Sequence, residues 1–169
     1  LKVAHVIAGT RSFDMNMPKE VNRMITDGLS DYLFTAGAIA NRNLNQSGRE
    51  NENVYYVGNI LIDTIRYNRH RLLRPLWAST LGVDNQKYIL LTLNRRKLLS
   101  QKDVLKKILT TLSAKVGNIP IIAPVHTYVS DCMKSLHLDL PNIHIMPVQS
   151  YLVFGYLVNH AKAIVTDSG

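Results

Sequence analysis

The chain has a single cysteine, Cys132, among 169 residues. That excludes an intramolecular disulfide and suits a reducing compartment, so a cytoplasmic location is expected. No apolar run approaches the ~20 residues needed to span a bilayer, and no membrane partner is expected. The chain opens inside an apolar stretch, without methionine or a charged segment. It therefore reads as a fragment of a longer protein rather than as a signal peptide. Aromatic residues are only 7% of the chain and do not alternate with basic ones. The +8 formal charge is scattered, apart from a cluster at Arg66, Arg69, His70, Arg71 and Arg74. Single-strand binders pair stacking platforms with a basic groove, so no nucleic-acid partner is expected. A basic balance can equally mean another anionic partner, a membrane surface or a phosphorylated small molecule. Histidine, cysteine and acidic residues nowhere take metal-ligand spacing, and neither a Walker loop nor a Gly-x-Gly-x-x-Gly turn is present. No metal and no cofactor are expected.

Hydrophobic residues at 46% and charged residues at 19% describe a globular chain with a core. Apolar runs at 3–8, 32–35, 54–57, 88–93, 119–125, 143–146 and 163–166 read as strands. Between them, apolar residues at helical spacing predict helices from Pro18 onward and over 36–46, 60–73, 102–116, 128–136 and 151–160. Strands alternating with helices mean βαβ units and parallel sheets. The continuous run 88–93 suits a strand covered on both faces. Pro75, Trp77 and Gly82 mark a seam. The expected division is a first lobe at 1–72, a linker at 73–86 and a second lobe at 87–169.

The densest information lies in His5-Val6-Ile7-Ala8-Gly9-Thr10-Arg11-Ser12-Phe13-Asp14, followed by Pro18. A strand ends at a glycine, a polar loop follows, and proline opens a helix. That places polar side chains at the carboxyl edge of a parallel sheet, where ligands bind in open α/β folds.

Five blocks carry a resemblance. They are His5-Val6-x-Ala8-Gly9-x-Arg11-Ser12-Phe13-Asp14; Met17-Pro18-x-Glu20-x-Asn22-Arg23-x-x-Thr26-Asp27; Val57-Gly58-Asn59-x-x-Ile62-Asp63; Pro124-Val125-His126; and Thr166-Asp167-Ser168-Gly169. In order and spacing they resemble the non-hydrolysing UDP-N-acetylglucosamine 2-epimerases. The resemblance implies an α/β architecture of two Rossmann-like lobes of the glycosyltransferase-B type, both incomplete here. These residues match the later part of the amino-terminal lobe, without its opening strands, and the first part of the carboxyl-terminal lobe. The implied activity interconverts UDP-GlcNAc and UDP-ManNAc by eliminating and re-adding UDP. A UDP-sugar is the implied ligand, with no cofactor, and a homodimer is the implied state of the intact family member.

That chemistry needs proton-transfer groups near C2 and stabilisation of the departing diphosphate. The family's acid/base positions are occupied here by Ile7, Lys19 and Asn94. Isoleucine has no ionisable group, lysine reverses the charge, and an asparagine amide exchanges no proton near neutral pH. The family's further glutamate after the histidine is replaced by Lys97. Glu20 or Asp14 is the nearest substitute carboxylate. The implied nucleotide contacts are Arg11, Arg95, Arg96, His126, Ser168 and Gly169. Each has a structural alternative: an Arg11–Asp14 ion pair, a solvated basic loop at 95–96, a hydrogen-bonding His126, and an ordinary strand-to-helix turn at 166–169. His5 reads as a satisfied histidine beneath the sheet edge. The expectation is an epimerase scaffold whose turnover is impaired or lost, or a non-catalytic UDP-sugar-binding or interaction module derived from it.

Overall fold

The computed structural model describes residues 1–49, 51–81, 83 and 87–168. The chain divides into two compact units, Leu1–Arg69 and His70–Gly169.

In the first unit, β1 (Ala4–Ala8), β2 (Tyr32–Thr35) and β3 (Val54–Tyr56) form a parallel sheet in that order. Helices α1 (Pro18–Leu29) and α2 (Ala38–Gln46) connect them, and α3 (Ile60–Asn68) follows. Proline at the first turn of α1 gives up no bond, since its N–H would have been unpaired there. The far end of α1 is closed by Arg49, whose guanidinium donates to the carbonyls of Asp27, Gly28 and Ser30. A cation at a helix carboxyl end answers both its unpaired carbonyls and its dipole. Gly9 adopts φ +73°, and a Cβ there would lie 2.4 Å from the Ala40 carbonyl oxygen. Only glycine lets the β1 exit approach α2 so closely.

The register sets Val6 opposite Phe34, and Phe34 opposite Tyr55. The buried core lies on the other face, where Ala8 and Leu33 meet Leu44 of α2 and half-buried Val54 packs against them. The apolar stripe of α1 does not join this core: Met24, Ile25 and Leu29 are exposed. The residues that α1 does bury are Glu20 and Asp27. Helix α3 stops at Asn68 and tightens into a 3-10 turn over Arg69–Arg71, short of the 60–73 that periodicity predicts. Nothing along α3 is buried, and beyond it Leu73 donates its N–H to the Leu152 carbonyl at 3.3 Å instead of continuing the helix.

The second unit begins with a segment that packs onto its sheet. Ala78 and Val83, inside the stretch read as a linker, are fully buried; Gly82, Asp84, Asn85 and Gln86 of that stretch lie outside the described residues. Next come β4 (Ile89–Thr92), α4 (Arg96–Ser100), α5 (Lys102–Val116) and β5 (Ile121–Val125). α6 (Thr127–Lys134), β6 (Ile143–Pro147), α7 (Tyr151–His160) and β7 (Ala163–Thr166) complete the unit. The sheet is parallel, in the order β6-β5-β4-β7.

Its two faces bury alternate residues of one strand. Ile89 and Leu91 meet Leu105 and Leu109 of α5 and Val129 and Met133 of α6. Leu90 and Ile122 meet Leu157 of α7, Tyr88, Ala78 and Val83. Strands covered on both sides read as unbroken apolar runs, which is the pattern of 88–93. Burial pushes the Tyr88 phenol well above its usual pKa, and its O–H donates to the Leu157 carbonyl at 2.7 Å.

Candidate functional site

The carboxyl ends of β4, β5 and β7 and the loop after β6 surround a recess of about 450 Å³. That is within the size range of small-ligand pockets. Val125, Val148, Phe154, Val158 and Ile164 supply apolar walls, and Thr92, Asn94, His126, Gln149, Thr166 and Ser168 supply polar groups. An apolar slot with a few convergent polar groups suits a planar ring carrying a polar edge.

The rim is fixed by a small network. The Thr92 hydroxyl donates to Thr166 Oγ1 at 2.8 Å across β4 and β7. The Asp167 carboxylate accepts from the backbone N–H groups of Asn94 and Arg95, both at 2.8 Å. Arg95 Nε donates back to the Asp167 carbonyl at 3.1 Å. The β4–α4 loop is thereby tied to the end of β7. Tyr128 donates its phenolic hydrogen to the Asn94 side-chain oxygen. Its ring stacks on His126 at 5.8 Å between centroids.

Of the residues the sequence nominates, Asn94, His126 and Ser168 share this recess. Ser168 N–H is already committed to Thr166 Oγ1 at 3.0 Å. Arg95 stands at the rim, held by Asp167. Arg96 is exposed at the first position of α4, a helix the apolar periodicity did not reveal. Gly169 lies outside the described residues. Sequence reading passed over Phe154 and Gln149 as lining and Tyr128 as the partner of Asn94. Phe154 sits in an apolar helical stretch where nothing local separates a core face from a pocket face. Asp167, inside the Thr166-Asp167-Ser168-Gly169 block, was visible as a motif member but not as the anchor of a loop more than seventy residues away.

In the first unit, Arg11 does not pair with Asp14. Its Nη1 lies 2.5 Å from Asp27 Oδ2, with both side chains almost fully buried. Asp27 also accepts from Gly9 N–H at 3.2 Å and faces His5 Nδ1 at 2.6 Å. One buried carboxylate thus gathers the strand, its exit turn and the following loop. His5 is satisfied, as its place under the sheet edge suggested. Asp14 instead accepts from Asn16 N–H in a local turn. Glu20 is buried and fully engaged: it accepts from Ser12 N–H, Ser12 Oγ–H and Phe13 N–H between 2.9 and 3.1 Å. The Ser12 N–H above all holds its pKa below the usual carboxylate value. A carboxylate so occupied is a weak base. Lys19 is exposed, and Ile7 is half-buried at φ +63°, where the β1–β2 register slips. Among the described residues no group of three or more His, Cys, Asp and Glu could hold a metal ion, and no helix is long and apolar enough to cross a membrane.

Two parallel α/β units, one with a ligand-sized recess at its carboxyl edge, place the chain among α/β proteins of the glycosyltransferase-B-like kind. The family profile for UDP-N-acetylglucosamine 2-epimerase matches residues 1–169. The chain belongs to that family. The UDP-N-acetylglucosamine 2-epimerase of Methanocaldococcus jannaschii is 35% identical over all of this chain and 49% of its own length. Its crystal structure in complex with UDP-GlcNAc and UDP superposes with a TM-score of 0.83, at 34% identity, covering 99% of this chain and 49% of that one. The Neisseria meningitidis enzyme bound to UDP-GlcNAc gives a TM-score of 0.85 at 27% identity, over 99% of this chain and 48% of that one. A Pseudomonas aeruginosa UDP-2,3-diacetamido-2,3-dideoxy-D-glucuronate 2-epimerase is 33% identical over 99% of this chain and 47% of its own length. The chain spans about half the length of these relatives.

Proposed function

We propose that this chain is a UDP-sugar-binding derivative of the epimerase scaffold, with turnover impaired or lost in these residues alone. The observation that carries the binding reading is the recess at the carboxyl edge of the second sheet. An apolar slot ringed by Asn94, His126, Gln149 and Ser168 suits a pyrimidine and its polar edge. Two relatives that the chain superposes on are bound to UDP-GlcNAc, one of them with UDP as well. Arg95, pinned at the rim by Asp167, and Arg96 beside it supply cationic donors for a diphosphate. In the first unit Arg11 contributes by holding the β1 loop through Asp27. The sugar is left open by the family itself, since a relative of similar identity is a 2-epimerase of a diacetamido glucuronate.

The loss-of-turnover reading rests on Ile7, Lys19 and Asn94. Epimerisation at C2 removes a weakly acidic proton and returns one from the other face, which requires groups that exchange protons. None of the three does so near neutral pH in the needed sense. Glu20, the carboxylate next to Lys19 in the sequence, spends both oxygens on the Ser12–Phe13 loop. Losing such groups commonly costs orders of magnitude in rate.

Proton NMR of UDP-GlcNAc incubated with the chain in D2O tests both halves. Saturation transfer to the uridine protons, with no deuterium entering C2, is the expected result. Deuterium at C2, or accumulation of UDP-ManNAc, would show that other groups carry the proton transfer. Absence of saturation transfer would remove the binding reading.

A further inference from the structure

We infer that Tyr128 is a positioning residue for the recess of the second unit. It holds the Asn94 side-chain amide in one orientation and leaves the N–H2 group as a donor for an oxygen of the ligand. The inference rests on the nucleotide-binding reading and adds a residue that acts there without lining the recess. Three observations carry it. Asn94 lines the recess and Tyr128 does not. The Tyr128 hydroxyl meets two oxygens of Asn94, the side-chain Oδ1 and, at 3.4 Å, the backbone carbonyl. The Tyr128 ring is held in turn by its stack, 14° from parallel, on His126, which does line the recess.

A primary amide has two ends, an acceptor oxygen and a donor N–H2 group. An unheld asparagine at a rim can turn either end toward a ligand. A phenol that faces two oxygens is the donor, so Oδ1 is the end tied back and Nδ2 the end that remains. The backbone of the same residue is fixed as well, since its N–H donates to Asp167 at 2.8 Å. Among the described residues no acceptor takes the Nδ2 hydrogens. Asn94 is thus a neutral donor set before the ligand arrives, and binding does not have to order it. The complementary group is an acceptor oxygen, which UDP carries both on its diphosphate and on its uracil carbonyls. Tyr128 is 45% exposed and stands outside the buried cluster to which α6 contributes Val129 and Met133. Removing its hydroxyl therefore leaves the core intact.

Calorimetric titration of the full chain with UDP tests the assignment, using the unaltered chain, Tyr128→Phe, Asn94→Ala and the double variant. Tyr128→Phe keeps the ring and its stack, and should weaken UDP binding about fivefold, the worth of one oriented hydrogen bond. In the Asn94→Ala background the same substitution should change affinity by less than about twofold, because the group it orients is gone. A tyrosine that merely supports the fold would cost the same in both backgrounds, and that result overturns the proposal. The Asn94 side-chain N–H2 signals in an amide correlation NMR spectrum give a second reading. They should move on UDP addition in the unaltered chain and move less in Tyr128→Phe; signals that stay still in the unaltered chain overturn the donor role. Uridine locates the contact. An equal loss with uridine assigns it to a uracil carbonyl, and a loss confined to UDP assigns it to the diphosphate. Failure of the unaltered chain to bind UDP overturns the nucleotide reading and this assignment with it. UDP binding that Tyr128→Phe leaves unchanged overturns this assignment alone.

Discussion

Glu20 is a carboxylate whose work is done by being charged. Three donors from Ser12 and Phe13 converge on it, and its folded pKa lies below the ordinary 4.5. Below about pH 4.5 the unfolded chain takes up the proton more readily than the folded one. The stabilisation is therefore complete above that pH and is lost as pH falls through the folded value. Glu20→Gln puts an amide where only acceptors fit. It should lower the melting temperature at pH 7 and flatten the further loss as the pH falls below about 4.5, read from circular-dichroism melts. Some acid sensitivity should persist, because Asp31 is also held low, chiefly by the Val3 N–H. Ile7 raises a different question, since a β-branched residue at φ +63° pays steric strain of order 1–2 kcal/mol. Ile7→Gly should consequently cost about 1–2 kcal/mol less than Val6→Gly next to it, measured by denaturant unfolding. A larger loss at position 7 would mean that its packing outweighs the strain. The identities of Ile7, Lys19 and Asn94 were legible in the sequence because they sit inside recognisable blocks. The partner of Arg11 was not: Asp14 is three residues away along the chain, but folding brings Asp27 to it instead.

Periodicity located the strands and most helices because these elements bury alternate or every-third-to-fourth side chains. Helix α5 and strands β2 and β7 fall where their apolar patterns put them. The pattern failed where burial did not follow it. The stripe of α1 is periodic yet exposed, and α3 shows periodicity with no core to meet. α4, five residues long, is too short for a period to show. Gly9 is the point where two elements constrain each other most tightly. Alanine there would bring a Cβ to 2.4 Å from a backbone oxygen while holding φ at +73°. Gly9→Ala should destabilise the first unit by about 2–4 kcal/mol, from strain and forced separation of β1 and α2. Hydrogen exchange would show the loss in β1 and β2 and leave β4 and β5 unchanged. Uniform loosening of both sheets would mean that the units are energetically one. The loop between β4 and α4 depends in the same way on Asp167, which accepts two of its backbone N–H groups. Asp167→Ala should cost about 1–2 kcal/mol, since these are charge-assisted bonds at an exposed rim. It should also reduce saturation transfer to UDP by freeing Asn94 and Arg95.

Taken whole, the molecule is uneven. Among the described residues the first unit's buried apolar core is Ala8, Leu33 and Leu44. The second unit buries eleven residues on one face of its sheet and six on the other. Burial of apolar surface is the main stabilising term, and a unit of some 70 residues buries too little of its surface to tolerate an open face comfortably. Thermal unfolding should therefore take two steps, with the first unit melting lower, and a single two-state fit should fail in calorimetry. Exposed apolar surface in the first unit should also make the chain prone to self-association as that step proceeds. UDP separates the two steps further if its site is the recess beside Asn94, His126 and Ser168. At about 100 times Kd, binding adds about 2.7 kcal/mol to the unit that holds the ligand. For a domain of about 100 residues that raises its melting temperature by about 10 °C or more. The upper transition should move and the lower one stay. Movement of the lower transition instead would assign the nucleotide to the Arg11 loop of the first unit. Movement of both together would mean that the ligand couples two units whose cores are built separately.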